Sequence, residues 1–135
     1  METWKPEGYS QVTPYLTVVG ADKQLDFLVA VFDAKVIRRV EREDQKILHA
    51  AALIGDAHVE LSEHNEKWGP MGMPMPSAIH IYVPDIDATH RKALEAGAEV
   101  LHEPMDMDYG ERASAVRDPS GTTWYIASYR GGGTV

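Results

Sequence analysis

A histidine and a glutamate lie on two segments whose alternating apolar and polar residues are typical of β-strands. His80 begins HIYV, and Glu60 lies within HVELSE. An imidazole and a carboxylate can transfer protons as a general acid–base pair, and both groups also bind divalent metals. Because side chains alternate across a strand, His58, Glu60 and Ser62 share one face. Which chemistry these residues perform depends on the elements that position them.

The sequence argues against several other functions. It contains no cysteine, so thiolate metal sites and disulfides are excluded. It contains no nucleophile elbow, phosphate loop or dinucleotide fingerprint. The 21 acidic and 13 basic residues give a formal charge of −8, whereas a nucleic-acid partner requires clustered Lys and Arg. The basic cluster Arg38, Arg39 and Arg42 is interrupted by glutamates, which indicates a solvated, charge-paired strand or turn.

Length and hydropathy predict one domain that is not inserted in a membrane. The 135 residues suffice for a single core. No apolar run approaches the roughly 20 residues of a membrane-spanning helix. The first residues, METWKPEGYS, lack the apolar stretch of a signal peptide. We therefore expect no membrane partner and a cytoplasmic location.

Two parts of the chain repeat one pattern at an offset of 64 residues. Residues 18–37 and 82–101 each contain a strand end, a polar helix opening, about a dozen helical residues and a small-residue turn. The predicted helices carry apolar stripes, and Gly97 is suited to end the second helix. The residues of these stripes are Leu25, Leu28, Val29 and Phe32 in the first helix, and Ile86, His90, Ala93 and Leu94 in the second.

Three strand-like runs follow each helix, so the predicted fold is α+β with two β-α-β-β-β modules. The modules cover about 11–63 and 77–129 of a single domain, 1–135, joined by a linker over 64–76. The predicted strands are 35–41, 46–54 and 57–62, then 99–103, 112–117 and 122–128. The turns IGD and DPSG separate the last two strands of each module.

The segment around the linker, 63–77, contains three prolines, two glycines and three methionines, which predicts no regular structure. Two interpretations are open. The segment is either a plain connection or a flap whose Trp68, Met71, Met73 and Met75 lie on a ligand. At the C-terminus, GGGTV is expected to fray.

This organisation resembles the vicinal oxygen chelate superfamily, which includes glyoxalase I, fosfomycin-resistance thiol transferases, extradiol dioxygenases and bleomycin-resistance proteins. The resemblance rests on TPYLTVVGADKQLDFLVAVFDAKV, HIYVPDIDATHRKALEAGAEV and YGERASAVRDPSGTTWYIAS, and it covers about residues 11–129. It implies sheets that form half-open barrels around a pocket, and a homodimer. It does not define the activity, because this fold carries many chemistries.

Metal-using members of the superfamily supply one His or Glu from the first and last strands of each module. Glu60 matches one of these four positions. Thr13 and Tyr125 occupy two others, and Ala78 occupies the fourth. His80 keeps the parity of Ala78 but is displaced along the strand by roughly 6–7 Å. Two protein ligands are fewer than the three of a catalytic zinc site, so we expect no metal cofactor.

The sequence therefore favours a metal-independent protein that binds a small organic ligand in an inward-facing pocket. The expected ligand-binding residues are Tyr15, His58, Glu60, Trp68, His80, Tyr82 and Tyr125. Glu60 and His80 are expected to face one cavity. The alternative is a lyase, isomerase or thiol transferase of the glyoxalase type that uses Glu60 and His80, with or without a divalent metal.

Overall fold

The computed structural model describes residues 3–131 and confirms the two β-α-β-β-β modules. The first module consists of β1 Tyr15–Val18, α1 Ala21–Phe32, β2 Lys35–Glu41, β3 Ile47–Ile54 and β4 Ala57–Glu63. The second consists of β5 Ala78–Tyr82, α2 Ile86–Glu95, β6 Glu99–Asp106, β7 Glu111–Arg117 and β8 Thr123–Tyr129.

Each module forms its own four-stranded mixed sheet. The strand orders are β1-β4-β3-β2 and β5-β8-β7-β6. The first strand of each module pairs in parallel with the last, while the remaining pairs are antiparallel. β1 and β5 therefore each have one edge that is free within their own sheet.

The helices cover one face of the sheets and form the core. In α1 the buried side chains are Ala21, Gln24, Leu25, Phe27, Leu28, Val31 and Phe32. Val29 was predicted to belong to the apolar stripe of α1, and this was wrong, because its side chain is 42% exposed. The buried side of the helix extends from Leu28 toward Phe27 and Val31 instead. In α2, Ile86, His90 and Ala93 are buried, but Leu94 is 39% exposed. Gly97 has a φ of 96°, as expected for a left-handed residue after a helix.

The other face of each sheet, which we call its open face, carries the polar and aromatic side chains. Strand alternation places Tyr15, His49, His58 and Glu60 on the open face of the first sheet. It places His80, Tyr82, Glu111, Tyr125 and Tyr129 on the open face of the second sheet. These two faces hold most of the candidate functional residues.

A buried carboxylate joins the two modules. Asp118, in the turn DPSG, accepts hydrogen bonds from Trp124 Nε1 at 2.9 Å and from the backbone N–H groups of Ser120 and Thr122 at 2.8 and 3.1 Å. Gln24 of α1 reaches across the junction and donates from Nε2 to Asp118 at 2.9 Å and to Thr122 at 2.8 Å. The turn thus fixes the first helix against the second sheet.

The linker differs from its prediction because it contains a 3₁₀ segment at Glu66–Gly72. The Asn65 side chain accepts a hydrogen bond from the backbone N–H of Lys67 at 3.1 Å and so begins the first turn. Gly69, with a φ of 63°, allows the kink between turns. The methionines of the linker, Met71, Met73 and Met75, are exposed. Of the C-terminal GGGTV, residues 132–135 lie outside the described part.

Candidate ligand-binding site

A cavity of about 470 Å³ lies between the modules, along β5 and the β3–β4 turn. Its lining includes the polar side chains of His58, His80 and Tyr82 and the apolar side chains of Ile79, Ile81 and Trp124. Alternation along β5 points His80 and Tyr82 to the open face, and Ile79 and Ile81 to the core. Because the cavity follows the free edge of β5, it contacts side chains from both faces.

A buried glutamate supports the polar side of this cavity. Glu111, at the start of β7, is 4% exposed and accepts a hydrogen bond from the Tyr82 hydroxyl at 2.5 Å. Its other carboxylate oxygen lies 3.9 Å from Nε2 of His80. The rings of His80 and Tyr82 are in contact, with centroids 4.7 Å apart. The three residues form one polar cluster, which we call the β5–β7 cluster.

Sequence reasoning missed Glu111. One signal in the sequence could have indicated it. In ERASAV, Glu111 is two residues before Ala113 and four before Ala115, so the three side chains share one face of the strand. Ala115 pairs with Tyr125, whose position in the last strand predicts an inward-facing side chain. Finding Glu111 required the register between β7 and β8, which follows from tertiary structure.

The hydrogen bond to Glu111 raises the pKa of Tyr82 above its usual value of about 10. The folded chain therefore holds this proton more tightly than the unfolded chain. The resulting stabilisation is present below about pH 10 and disappears as the pH rises through the raised pKa. In an alkaline titration followed by ultraviolet absorbance, Tyr82→Phe should remove a late-ionising tyrosine, whereas Tyr109→Phe should retain it. Identical late phases in both variants would contradict this assignment.

Glu60 lies in a different environment. Its Oε1 is 2.6 Å from Nε2 of His49, and both side chains are about one quarter exposed, at 27% and 25%. The pair lines a second cavity of about 400 Å³, and Thr13 lies in the same lining. The expectation that Glu60 and His80 share one cavity is therefore not met within a chain. Each residue lies on the open face of its own sheet, and each cavity contains one of them without the other.

The remaining predicted residues are distributed over both modules. Tyr125 lies beside His80 in the sheet register and is 48% exposed. Tyr15 is 50% exposed, and its ring centroid is 6.0 Å from that of His49. His58 is buried and stacks on Tyr9. Trp68 lies in the 3₁₀ segment and contributes to neither cavity.

The arrangement does not fit a metal bound by one chain. Within residues 3–131, no three His, Asp or Glu side chains lie close enough together to hold an ion. Glu60 has His49 as its nearby partner, and His80 has Glu111. A catalytic zinc site normally takes three protein ligands. Within one chain, both pairs are therefore better suited to hydrogen bonding than to metal coordination.

The fold and the cavity define the class of this protein. It is a two-module α+β protein with a cavity at the junction of its two sheets. The family model for the Glyoxalase/Bleomycin resistance protein/Dioxygenase superfamily matches residues 9–126, and the chain belongs to this superfamily. An uncharacterized protein of Mycobacterium bovis is 35% identical over 122 residues, with 85% of this chain and 80% of that protein covered.

Solved structures share the fold at low sequence identity. TioX from Micromonospora sp. ML1 has a TM-score of 0.75 at 24% identity, with 89% of this chain and 98% of that chain covered. A glyoxalase/bleomycin resistance protein/dioxygenase family enzyme from Burkholderia phytofirmans PsJN has a TM-score of 0.70 at 16% identity, covering 87% and 96%. These similarities establish the architecture.

No helix within the described residues combines the length and the apolar character needed to cross a membrane.

Proposed function

We propose that this protein binds a small organic molecule, without a metal, in the cavity between its modules. The observation that carries the proposal is the composition of the 470 Å³ cavity, in which polar side chains from both modules, including that of Asp56, face apolar walls. Small-molecule sites usually occupy about 300–1,000 Å³ and combine apolar surface with a few orienting polar groups. The apolar part comes from Ile79, Ile81 and Trp124, and the orienting groups are His58, His80 and Tyr82.

The β5–β7 cluster favours a neutral or cationic guest. The Tyr82 hydroxyl donates to Glu111, so the carboxylate is held at the polar side of the cavity. His80 is 44% exposed in its side chain and therefore has ring atoms available to a ligand. Together with the formal charge of −8, these groups disfavour an anionic guest at this cavity.

A homodimer is part of this proposal. Members of the superfamily commonly form dimers, and the open face of the second sheet presents large aromatic side chains to solvent. Tyr82, Tyr125 and Tyr129 are about half exposed, at 54%, 48% and 57%. Monomers seldom expose large contiguous apolar patches. Sedimentation should give twice the chain mass of 15.0 kDa at micromolar concentration, and a species of one chain mass would refute the dimer.

A second candidate function is a lyase, isomerase or thiol transferase of the glyoxalase type. The observation that favours it is the proximity of an imidazole, a carboxylate and a phenol in the β5–β7 cluster, because such groups perform general acid–base catalysis. His80 belongs to this cluster, whereas Glu60 would need to join it from another chain. Turnover abolished by both His80→Ala and Glu60→Gln would favour this candidate.

A thermal-shift screen tests the binding function. The panel contains aromatic natural products, thiol conjugates and divalent metals, because a ligand that binds only the folded state raises the Tm. We expect an organic compound to raise the Tm of the native chain and to lose most of that effect with His80→Ala. His102→Ala is the matched control, since His102 is exposed on β6 and outside the cavity lining. A panel in which metals alone raise the Tm would overturn the proposal.

A further inference from the structure

The N-terminal segment, residues 3–14, lies across the open face of the first sheet. The ring of Tyr9 stacks on that of His58, with centroids 3.6 Å apart and planes inclined by 9°. Lys5 Nζ donates a hydrogen bond to the backbone oxygen of Tyr9. At the other end of the segment, the oxygen of Pro14 accepts from the backbone N–H of Glu60 at 2.9 Å. The Tyr9–His58 stack and the Pro14–Glu60 hydrogen bond hold the segment against the sheet as a cover, while the Lys5–Tyr9 hydrogen bond lies within the segment.

The space beneath this cover is the 400 Å³ cavity that contains Glu60. Its lining includes Trp4, Lys5, Tyr9, Arg38, His49 and Glu60. It shares no lining residue with the cavity between the modules, although Tyr9 contacts His58 of that cavity. It is therefore a second candidate site with its own chemistry.

The charges at this second cavity differ from those of the chain as a whole. The neighbours of Arg38 are paired with carboxylates: Arg39 with Glu41 at 3.4 Å, and Arg42 with Asp44 at 2.9 Å. Arg38 has no carboxylate partner within 4.0 Å among the described residues. Lys5 adds a second cation to the lining. An unpaired guanidinium in an acidic protein is available to an anion from outside the chain.

The carboxylate in the lining, Glu60, is already hydrogen-bonded to His49, and the two cations of the lining outnumber it. An ionised Glu60 can only accept hydrogen bonds, so His49 Nε2 must be the donor across their 2.6 Å contact. Nδ1 of His49 is buried and lacks a hydrogen-bond partner among the described residues. The Glu60–His49 pair thus provides a polar floor in which one carboxylate oxygen is already occupied.

We propose that this cavity binds an aromatic carboxylate. The carboxylate pairs with Arg38 and Lys5, because a guanidinium matches the planar geometry of a carboxylate. The ring of the ligand packs against Trp4 and Tyr9, and its far edge meets the Glu60–His49 pair. A volume of 400 Å³ lies within the range of small-molecule sites. This site and its ligand class differ from those of the proposed function, and neither proposal depends on the other.

Titration of the full chain with 2-naphthoate tests the site, with heat and tryptophan fluorescence as readouts. We expect saturable binding with one molecule per chain, and no comparable binding of 2-naphthamide, which lacks the charge. Arg38→Gln should weaken 2-naphthoate binding about tenfold or more, because a charge-assisted hydrogen bond is lost. Arg39→Gln is the matched control: it removes the same charge one residue away, on the opposite face of β2, and should bind as the native chain does.

Substitution of the cover provides the second arm. Tyr9→Ala should weaken 2-naphthoate binding several-fold, because both the stack on His58 and one wall of the cavity are lost. The fluorescence change should vanish in Trp4→Phe while the heat of binding remains. Equal affinity for naphthoate and naphthamide, equal losses in Arg38→Gln and Arg39→Gln, or no binding of naphthoate would each overturn the proposal.

Discussion

Replacing Asp118 by alanine is expected to lower the free energy of unfolding by about 3–5 kcal/mol, enough to remove much of the stability of a domain of this size. Asp118 is 3% exposed and accepts hydrogen bonds from two backbone N–H groups, an indole and an amide. In the alanine variant these four donors lose their acceptor, and because the site is buried, water does not replace it. Because Gln24 belongs to the first module, the variant should also loosen the junction between modules.

Urea denaturation checks this expectation, with Asp108→Ala as the control. Asp108 is exposed in the β6–β7 turn, so its removal should change the free energy by less than about 0.5 kcal/mol. Asp118→Asn should cost less than the alanine variant, because the amide retains one oxygen acceptor. A loss below about 1 kcal/mol in Asp118→Ala would show that other contacts hold the junction.

Replacing Glu63 by alanine is expected to lower the free energy of unfolding by about 3 kcal/mol. Glu63 ends β4, is 4% exposed, and accepts hydrogen bonds from the backbone N–H groups of Gly20 and Ala21, each at 3.0 Å. It therefore caps α1 from another strand and places a carboxylate at the positive end of the helix. In the second module, Ser128 of β8 accepts from Ile86 N–H at 3.1 Å and serves α2 in the same way.

Thermal or urea denaturation of three variants separates the contributions to this cap. Glu63→Gln keeps an oxygen acceptor without the charge and should lose about half as much as Glu63→Ala. Glu66→Ala removes an exposed acid three residues later and should be nearly neutral. If Glu63→Ala were as stable as Glu66→Ala, the cap would have no energetic role and water would satisfy the N-terminus of α1.

Local sequence patterns predicted the helices and strands of this protein well, because the residues that end these elements act locally. The turn glycines Gly55, Gly97 and Gly121 all have positive φ, which few other residues tolerate. Alternation of side chains along β4, β5 and β8 placed Glu60, His80 and Tyr125 on open faces. The error at Val29 has a different origin: a four-residue stripe does not show how far the buried arc of a helix extends, and that depends on what packs against it.

The site was harder to predict because it depends on relations between elements. Parity showed that Glu60 and His80 face away from the core, but not that they belong to separate sheets with separate cavities. The side chains next to them, His49 beside Glu60 and Glu111 beside His80, lie on other strands of the same sheets. Their proximity depends on the register between strands. The cover formed by residues 3–14 has no periodic pattern at all, and its position follows from contacts such as the Tyr9–His58 stack.

Above all, we propose that the cavity between the modules binds a small organic molecule without a metal. Amide chemical-shift mapping of ¹⁵N-labelled protein, in the presence of a chelator, tests it with the screened compound that raises the Tm most. We predict that the largest shifts fall on residues 54–59 and 79–82, which line this cavity, and that His80→Ala removes them. Shifts that require an added divalent metal, or that fall elsewhere and leave both of these segments unchanged, would contradict the claim.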